Sequence, residues 1–247
     1  MSMNYKITLQ YDGTRYDGWQ KQGNTHNTIQ EKLETILGKM CQTPIEVHGS
    51  GRTDAGVHAL AQTANFHLEP GYDAADIMSC LNRYLPADIA VTDICEVPER
   101  FHSRLNAVRK TYRYRIHAGA VKNVFGRNYI YSIEEMPDAE LMRQAAAHLV
   151  GEHDFKSFCS NRHMKKSTVR HLYGITINQY SPELSMEFSG NGFLYNMVRI
   201  LAGTLLEVGL GHIAPDRMTD ILSKQDRQAA GPTLPAQGLF LVKVDYG

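Results

Sequence analysis

The chain has no uninterrupted apolar stretch near the ~20 residues that crossing a bilayer requires. It has only four cysteines, Cys41, Cys80, Cys95 and Cys159, and no C-x-x-C pair among them. That spacing argues against a structural zinc site or a disulfide framework and reads as free thiols in a reducing compartment. A Walker loop, a strand-to-helix G-x-G-x-x-G, a G-x-S-x-G elbow and an H-E-x-x-H pair are all missing. The eleven histidines show no metal-ligand spacing. The first residues, Met1 to Lys6, run straight into an alternating strand pattern, so no signal peptide is expected. These absences predict a soluble cytoplasmic protein with no membrane association, no metal and no cofactor.

Net charge is missing too, and that absence misleads. The 247 residues carry 26 basic and 26 acidic side chains. The distribution is uneven. Between Arg100 and Ile133 lie Arg100, Arg104, Arg109, Lys110, Arg113, Arg115, Lys122 and Arg127, with no acid. Between Phe155 and Pro182 lie Lys156, Arg162, Lys165, Lys166 and Arg170, again with no acid. Acids concentrate instead from Leu68 to Glu99, where Arg83 is the lone basic residue. A neutral chain can therefore own a positive face of the kind that phosphate backbones need.

What is present reads as a folded globular chain, 43% hydrophobic and 21% charged, long enough for one large domain or two compact ones. Tyr5, Ile7, Leu9 and Tyr11 alternate with polar residues as in a half-buried strand. A helix from about Thr28, strands near 45–48 and 62–68, a helix near 74–84 and a strand near 89–97 complete a first half. The order then recurs: a strand near 111–117, a helix near 139–149, strands near 172–180 and 184–189, helices near 194–208 and 216–222, and a strand near 239–244. Each half reads β-α-β-β-α-β, the split βαβ arrangement. The expectation is an α+β protein of two ferredoxin-like halves, 1–105 and 106–247. Its antiparallel sheets would carry helices on one face, with pseudo-twofold symmetry and a central cleft.

Three segments carry chemistry. His48-Gly-Ser-Gly-Arg-Thr-Asp-Ala-Gly-Val-His58 is a glycine-rich loop holding Arg52, Asp54 and His58. An aspartate there is either a turn former or a functional carboxylate. Phe193 to Leu206 is apolar almost all round, with Arg199 as its only charge. A buried guanidinium calls for an internal carboxylate partner, and an acid so placed stays ionised, as a carboxylate nucleophile must. Otherwise Arg199 shares a polar stripe with Asn196. In Lys110-Thr-Tyr-Arg-Tyr-Arg-Ile116, Tyr112 and Tyr114 face one way and the arginines the other, a pattern able to stack a base and touch phosphates.

Gly51-Arg-Thr-Asp-Ala-Gly-Val-His-Ala59 closely resembles the signature of the tRNA pseudouridine synthase A family. Tyr11 to Gln20, Lys110 to Tyr114, Phe193 to Arg199 and Gly238 to Val242 resemble further family blocks in the same order, as do Ser157-Phe158 and Thr168 to Arg170. The resemblance implies isomerisation of uridine to pseudouridine at positions 38 to 40 of the tRNA anticodon arm, without a metal or cofactor. It implies that Asp54 attacks the nucleoside at C1′ or C6, that Arg199 pairs with it, and that Tyr112 stacks on the target base. Arg52 is implied to help turn the nucleotide out of its stem. His58, Lys165, Lys166 and Arg170 join Arg52 as expected RNA contacts, the resemblance makes the central cleft an RNA-binding cleft, and a homodimer is the implied assembly. Two other classes compete. A non-catalytic RNA-binding module leaves the Asp54 loop and Arg199 unexplained, and an aspartate-nucleophile hydrolase calls for metal-binding carboxylates near Asp54.

Overall fold

The computed structural model describes residues 2–161 and 163–247; Arg162, one of the basic residues counted above, lies outside the described residues, as does Met1. The protein is α+β, and its chain divides into two compact units, Met1–Val108 with Phe240–Gly247, and Arg109–Leu239.

The first unit follows the expected order: β1 (Met3–Tyr11), α1 (Ile29–Cys41), β2 (His48–Gly49), β3 (His58–Leu68), α2 (Ala74–Tyr84) and β4 (Ile89–Val97). The sheet runs β4–β1–β3, with β2 antiparallel on β3. The chain's last strand, β10 (Leu239–Tyr246), joins it: Phe240 and Leu241 pair parallel with His58 and Ala59. Side chains explain the helix limits. Thr28 caps α1 by accepting from Glu31 N–H, and Asp73 caps α2 by accepting from Ala75 N–H. The α1 stripe Ile29, Leu33 and Leu37, the α2 residues Ile77 and Leu81, and the strand residues Ile7, Leu9 and Phe66 are all buried. Each such side chain contributes roughly 1.5–3 kcal/mol. Asn82 of α2 brackets β4, donating to Val91 O at 2.9 Å and accepting from Val91 N–H at 2.8 Å. That satisfies backbone groups an edge strand would otherwise leave open.

The second unit departs from the expected order. Between β5 (Ala107–Ala118) and α3 (Ala139–Ala147) lies a short strand, β6 (Tyr131–Ile133), and another, β7 (Gly151–Asp154), precedes β8 (Val169–Tyr180) and β9 (Glu183–Gly190). The sheet runs β5–β9–β8–β7 antiparallel, with β6 parallel to β5. The helices α4 (Met197–Gly209) and α5 (Arg217–Lys224) follow. Among the described residues no helix is long and apolar enough to cross a membrane.

Candidate active site

In the first unit the Asp54 loop connects β2 to β3, and Asp54 itself is half-buried. The Tyr11–Gln20 segment forms its wall. Trp19 N–H donates to Thr53 O at 3.0 Å, and Gly56 N–H donates to Tyr16 O at 3.3 Å. Gly18 passes so close that a Cβ there would stand 2.6 Å from Thr53 O, and its φ of +93° already disfavours a side chain. The indole of Trp19 lies against Gly49, where a Cβ would meet the ring at 2.3 Å. Two distant sequence blocks are thus one piece of structure.

Beneath the loop the protein is polar and buried. Tyr11, Ser50, Thr53 and Gln62 are all buried. The Tyr11 hydroxyl lies 2.7 Å from Thr53 Oγ1. Ser50 Oγ donates to Gln62 Oε1 at 2.6 Å, and Gln62 Nε2 donates to Gly51 O at 2.9 Å. Burial pushes the Tyr11 phenol well above its usual range, so it stays neutral. Ser50 and Thr53 lie in the loop and Tyr11 in a block the sequence singles out, but their union with Gln62 is not visible there, because 51 positions separate Tyr11 from Gln62. The available hint is Gln62-Thr63-Ala64-Asn65, where polar side chains occupy both faces of a strand that alternation would make half apolar.

Arg52 is exposed at the rim, its Nε donating to Gln20 Oε1 at 2.9 Å. His58, expected among the RNA contacts, is only 1% exposed. Its Nδ1 accepts Gly13 N–H at 3.0 Å and its ring stacks on Phe240 with centroids 4.7 Å apart. The side chain braces the exit of the loop.

The second unit holds the other candidates. Helix α4 is buried on nearly every side, as its composition predicts. Arg199 is half-buried, with Nε donating to Leu234 O at 2.6 Å and Nη1 donating to Asn196 Oδ1 at 2.9 Å. Tyr112 is 7% exposed and meets Phe193, just ahead of α4, edge to face with centroids 5.2 Å apart. Tyr114, on the same face of β5, is fully buried and donates to Pro235 O at 2.7 Å.

The basic segments are not uniformly available to an anion. Arg113 pairs with Glu187 at 2.6 Å and Arg115 with Glu183 at 2.9 Å, acids brought across from β9. Arg109 lies over the Tyr173 ring, 4.6 Å from its centroid. Lys165 and Lys166 are exposed and line a cavity of about 700 Å³ with Lys156, Asp154 and Arg227. Arg170 is half-buried and donates Nη1 to Ser167 O at 2.9 Å and to Val169 O at 2.6 Å. Burial lowers its pKa from the usual arginine value.

Comparison with known proteins decides what this arrangement belongs to. The tRNA pseudouridine synthase family profile matches residues 7–106 and 145–247. The chain belongs to the tRNA pseudouridine synthase family. It is 46% identical over 243 residues to tRNA pseudouridine synthase A of Bacillus sp. (strain KSM-64), covering 98% of this chain and 99% of that one. It is 45% identical to tRNA pseudouridine synthase A 1 of Clostridium tetani and 42% identical to tRNA pseudouridine synthase A 2 of Bacillus anthracis, with the same coverage. The family assignment spans both units and includes the whole Asp54 loop.

Proposed function

We propose that this isomerase converts uridine to pseudouridine at positions 38 to 40 in the anticodon arm of tRNA, with Asp54 as its nucleophile. Family membership carries the reaction and its tRNA substrate. The observation that supports the residue-level reading is the Asp54 loop itself, a family block held between the Tyr11–Gln20 wall and a buried polar floor.

The chemistry exchanges one bond for another. The N1–C1′ glycosidic bond breaks, the uracil turns, a C5–C1′ bond forms, and a proton leaves C5 while N1 gains one. No electrons are gained or lost. A carboxylate bonded covalently to the nucleoside, at C1′ or C6, keeps the freed base from diffusing away. Arg199 supplies the guanidinium that keeps the carboxylate ionised, and Tyr112 the ring that stacks on the base. Arg52, exposed at the rim, helps turn the nucleotide out of its stem, a step costing a few kcal/mol. Lys165, Lys166 and Arg170 meet the phosphates. The ferredoxin-like character of the units, the anticodon-arm target and the homodimer belong to the same proposal.

Mapping pseudouridine across total tRNA from cells with and without the protein tests it. Loss confined to positions 38 to 40 is the expected result. An unchanged map at those positions would overturn the assignment of target.

A further inference from the structure

We propose that Gln62 is a positioning residue for Asp54: its carboxamide fixes the Ser50–Thr53 leg of the loop and so sets where the carboxylate meets the nucleotide. The inference rests on the reading of Asp54 as the nucleophile.

Gln62 is 0% exposed. A glutamine that deep is unusual and costly unless its amide is fully bonded. Here it is. Oε1 accepts from Ser50 Oγ at 2.6 Å and from Thr63 N–H at 3.2 Å; Nε2 donates to Gly51 O at 2.9 Å and reaches the Tyr11 hydroxyl at 3.5 Å. The orientation of the amide is over-determined. Thr63 N–H can only donate, so the oxygen must face it, and Gly51 O can only accept, so the nitrogen must face that side.

The same four-residue leg is held twice more. Ser50 N–H donates to Thr63 O at 2.7 Å, and Thr53 Oγ1 lies 2.7 Å from the Tyr11 hydroxyl. Ser50, Gly51 and Thr53 are thus fastened from β1 and β3, while Arg52 points outward and Asp54 follows directly. The β1–β3 pairing also shifts register between Leu9 and Tyr11, at this spot. Such irregularities commonly lie beside active sites, where they re-aim side chains. Filling the space under a loop would take only an apolar residue. A satisfied polar network in a buried interior adds fixed direction, which a carboxylate nucleophile needs more than stability. The titratable neighbours do not interfere. Burial pushes the Tyr11 phenol up, and that of Tyr246, near Ser50 and Thr63, to about 12, so both remain neutral at working pH.

Two variants test the idea, assayed beside Asp54→Asn on the same tRNA. Gln62→Met keeps the volume and removes the hydrogen bonds. The expected result is a kcat lowered on the order of tenfold to a hundredfold, with the Kd for tRNA within about twofold of wild type. Gln62→Glu reproduces the donor and acceptor pattern only while its buried carboxyl is neutral, since an ionised one cannot donate to Gly51 O. Burial raises a carboxyl's pKa, so the ratio of variant to wild-type kcat should rise as pH is lowered. Measuring wild type at each pH gives the reference, and this variant keeps the test decisive should the methionine variant not fold. A Gln62→Met protein with wild-type kcat, or a Gln62→Glu ratio that stays flat with pH, overturns the proposal. Retained turnover in Asp54→Asn would instead strike the nucleophile reading on which it rests.

Discussion

Arg199 donates Nη1 to Asn196 Oδ1 at 2.9 Å, and Asn196 in turn donates Nδ2 to Ser160 Oγ at 3.1 Å. One asparagine therefore holds the guanidinium from the N-terminal end of α4 and ties it to the start of the basic 160–167 segment. Asn196 has a φ of 60°, a left-handed conformation that asparagine tolerates better than most residues.

That geometry separates two substitutions at one position. Asn196→Gly keeps the backbone and removes both side-chain bonds, whereas Asn196→Ala also adds about 1 kcal/mol of strain. Both should lower kcat by roughly tenfold, an effect of misplacing Arg199. Only the alanine variant should lose the further increment in urea unfolding. Equal stability of the two would show that the left-handed turn carries no cost.

Gly18→Ala should be more damaging than its size implies. A methyl there meets Thr53 O at 2.6 Å and the Asp54 carbonyl carbon at 3.1 Å, both backbone atoms that cannot swing aside. The loop must shift, so kcat should fall on the order of a hundredfold. A Gly18→Ala protein with near wild-type turnover would show that the wall does not set the loop.

Salt dependence should distinguish cations that meet RNA from cations already paired. Lys165 and Lys166 are exposed, while Arg113 and Arg115 are bound to Glu187 and Glu183. Replacing both lysines by alanine should lower the slope of log K against log salt by roughly one for each phosphate no longer neutralised. Replacing the two arginines should change it less. The reverse order would place the phosphates on β5.

Stability should also carry a histidine signature. His102 Nδ1 accepts Arg104 N–H at 3.1 Å, and its ring stacks on His48 with centroids 5.0 Å apart. Burial first, then the neighbouring His48, lowers its pKa from the usual 6.5. A group whose folded pKa is depressed contributes stability above its unfolded pKa and loses it as pH falls through the folded value. The stability gap between wild type and His102→Asn should therefore narrow as pH drops below about 6.5. A gap independent of pH would show that His102 does not titrate on unfolding.

Legibility followed the range of the interactions. Helix α2 matches its expected limits because Asp73 caps it and Ile77 and Leu81 mark its buried face, all local signals. Strands β6 and β7 escaped because Tyr131–Ile133 and Gly151–Asp154 are too short to show a period. The expected strand near 45–48 shrinks to His48–Gly49, and α4 starts at Met197 because Asn196 turns the backbone left-handed. Of the proposed site residues, Asp54 and Arg52 in a glycine-rich loop and Arg199 in an apolar run stand out in the sequence as unusual residue types in unusual surroundings. The polar floor does not, since Tyr11, Ser50, Thr53 and Gln62 become a unit only when β1 and β3 pair. Charge misled for the same reason: a segment free of acids in sequence acquires Glu183 and Glu187 from the strand beside it.

The most direct measurement is a single-turnover assay of Asp54→Asn, with pseudouridine counted by mass spectrometry of digested tRNA and binding followed in parallel. A neutral amide of the same shape should yield no detectable pseudouridine while holding tRNA within about twofold of the wild-type Kd, because the loss falls on covalent attack and not on binding. Turnover at the wild-type rate would contradict the account and return the aspartate to the role of a turn former.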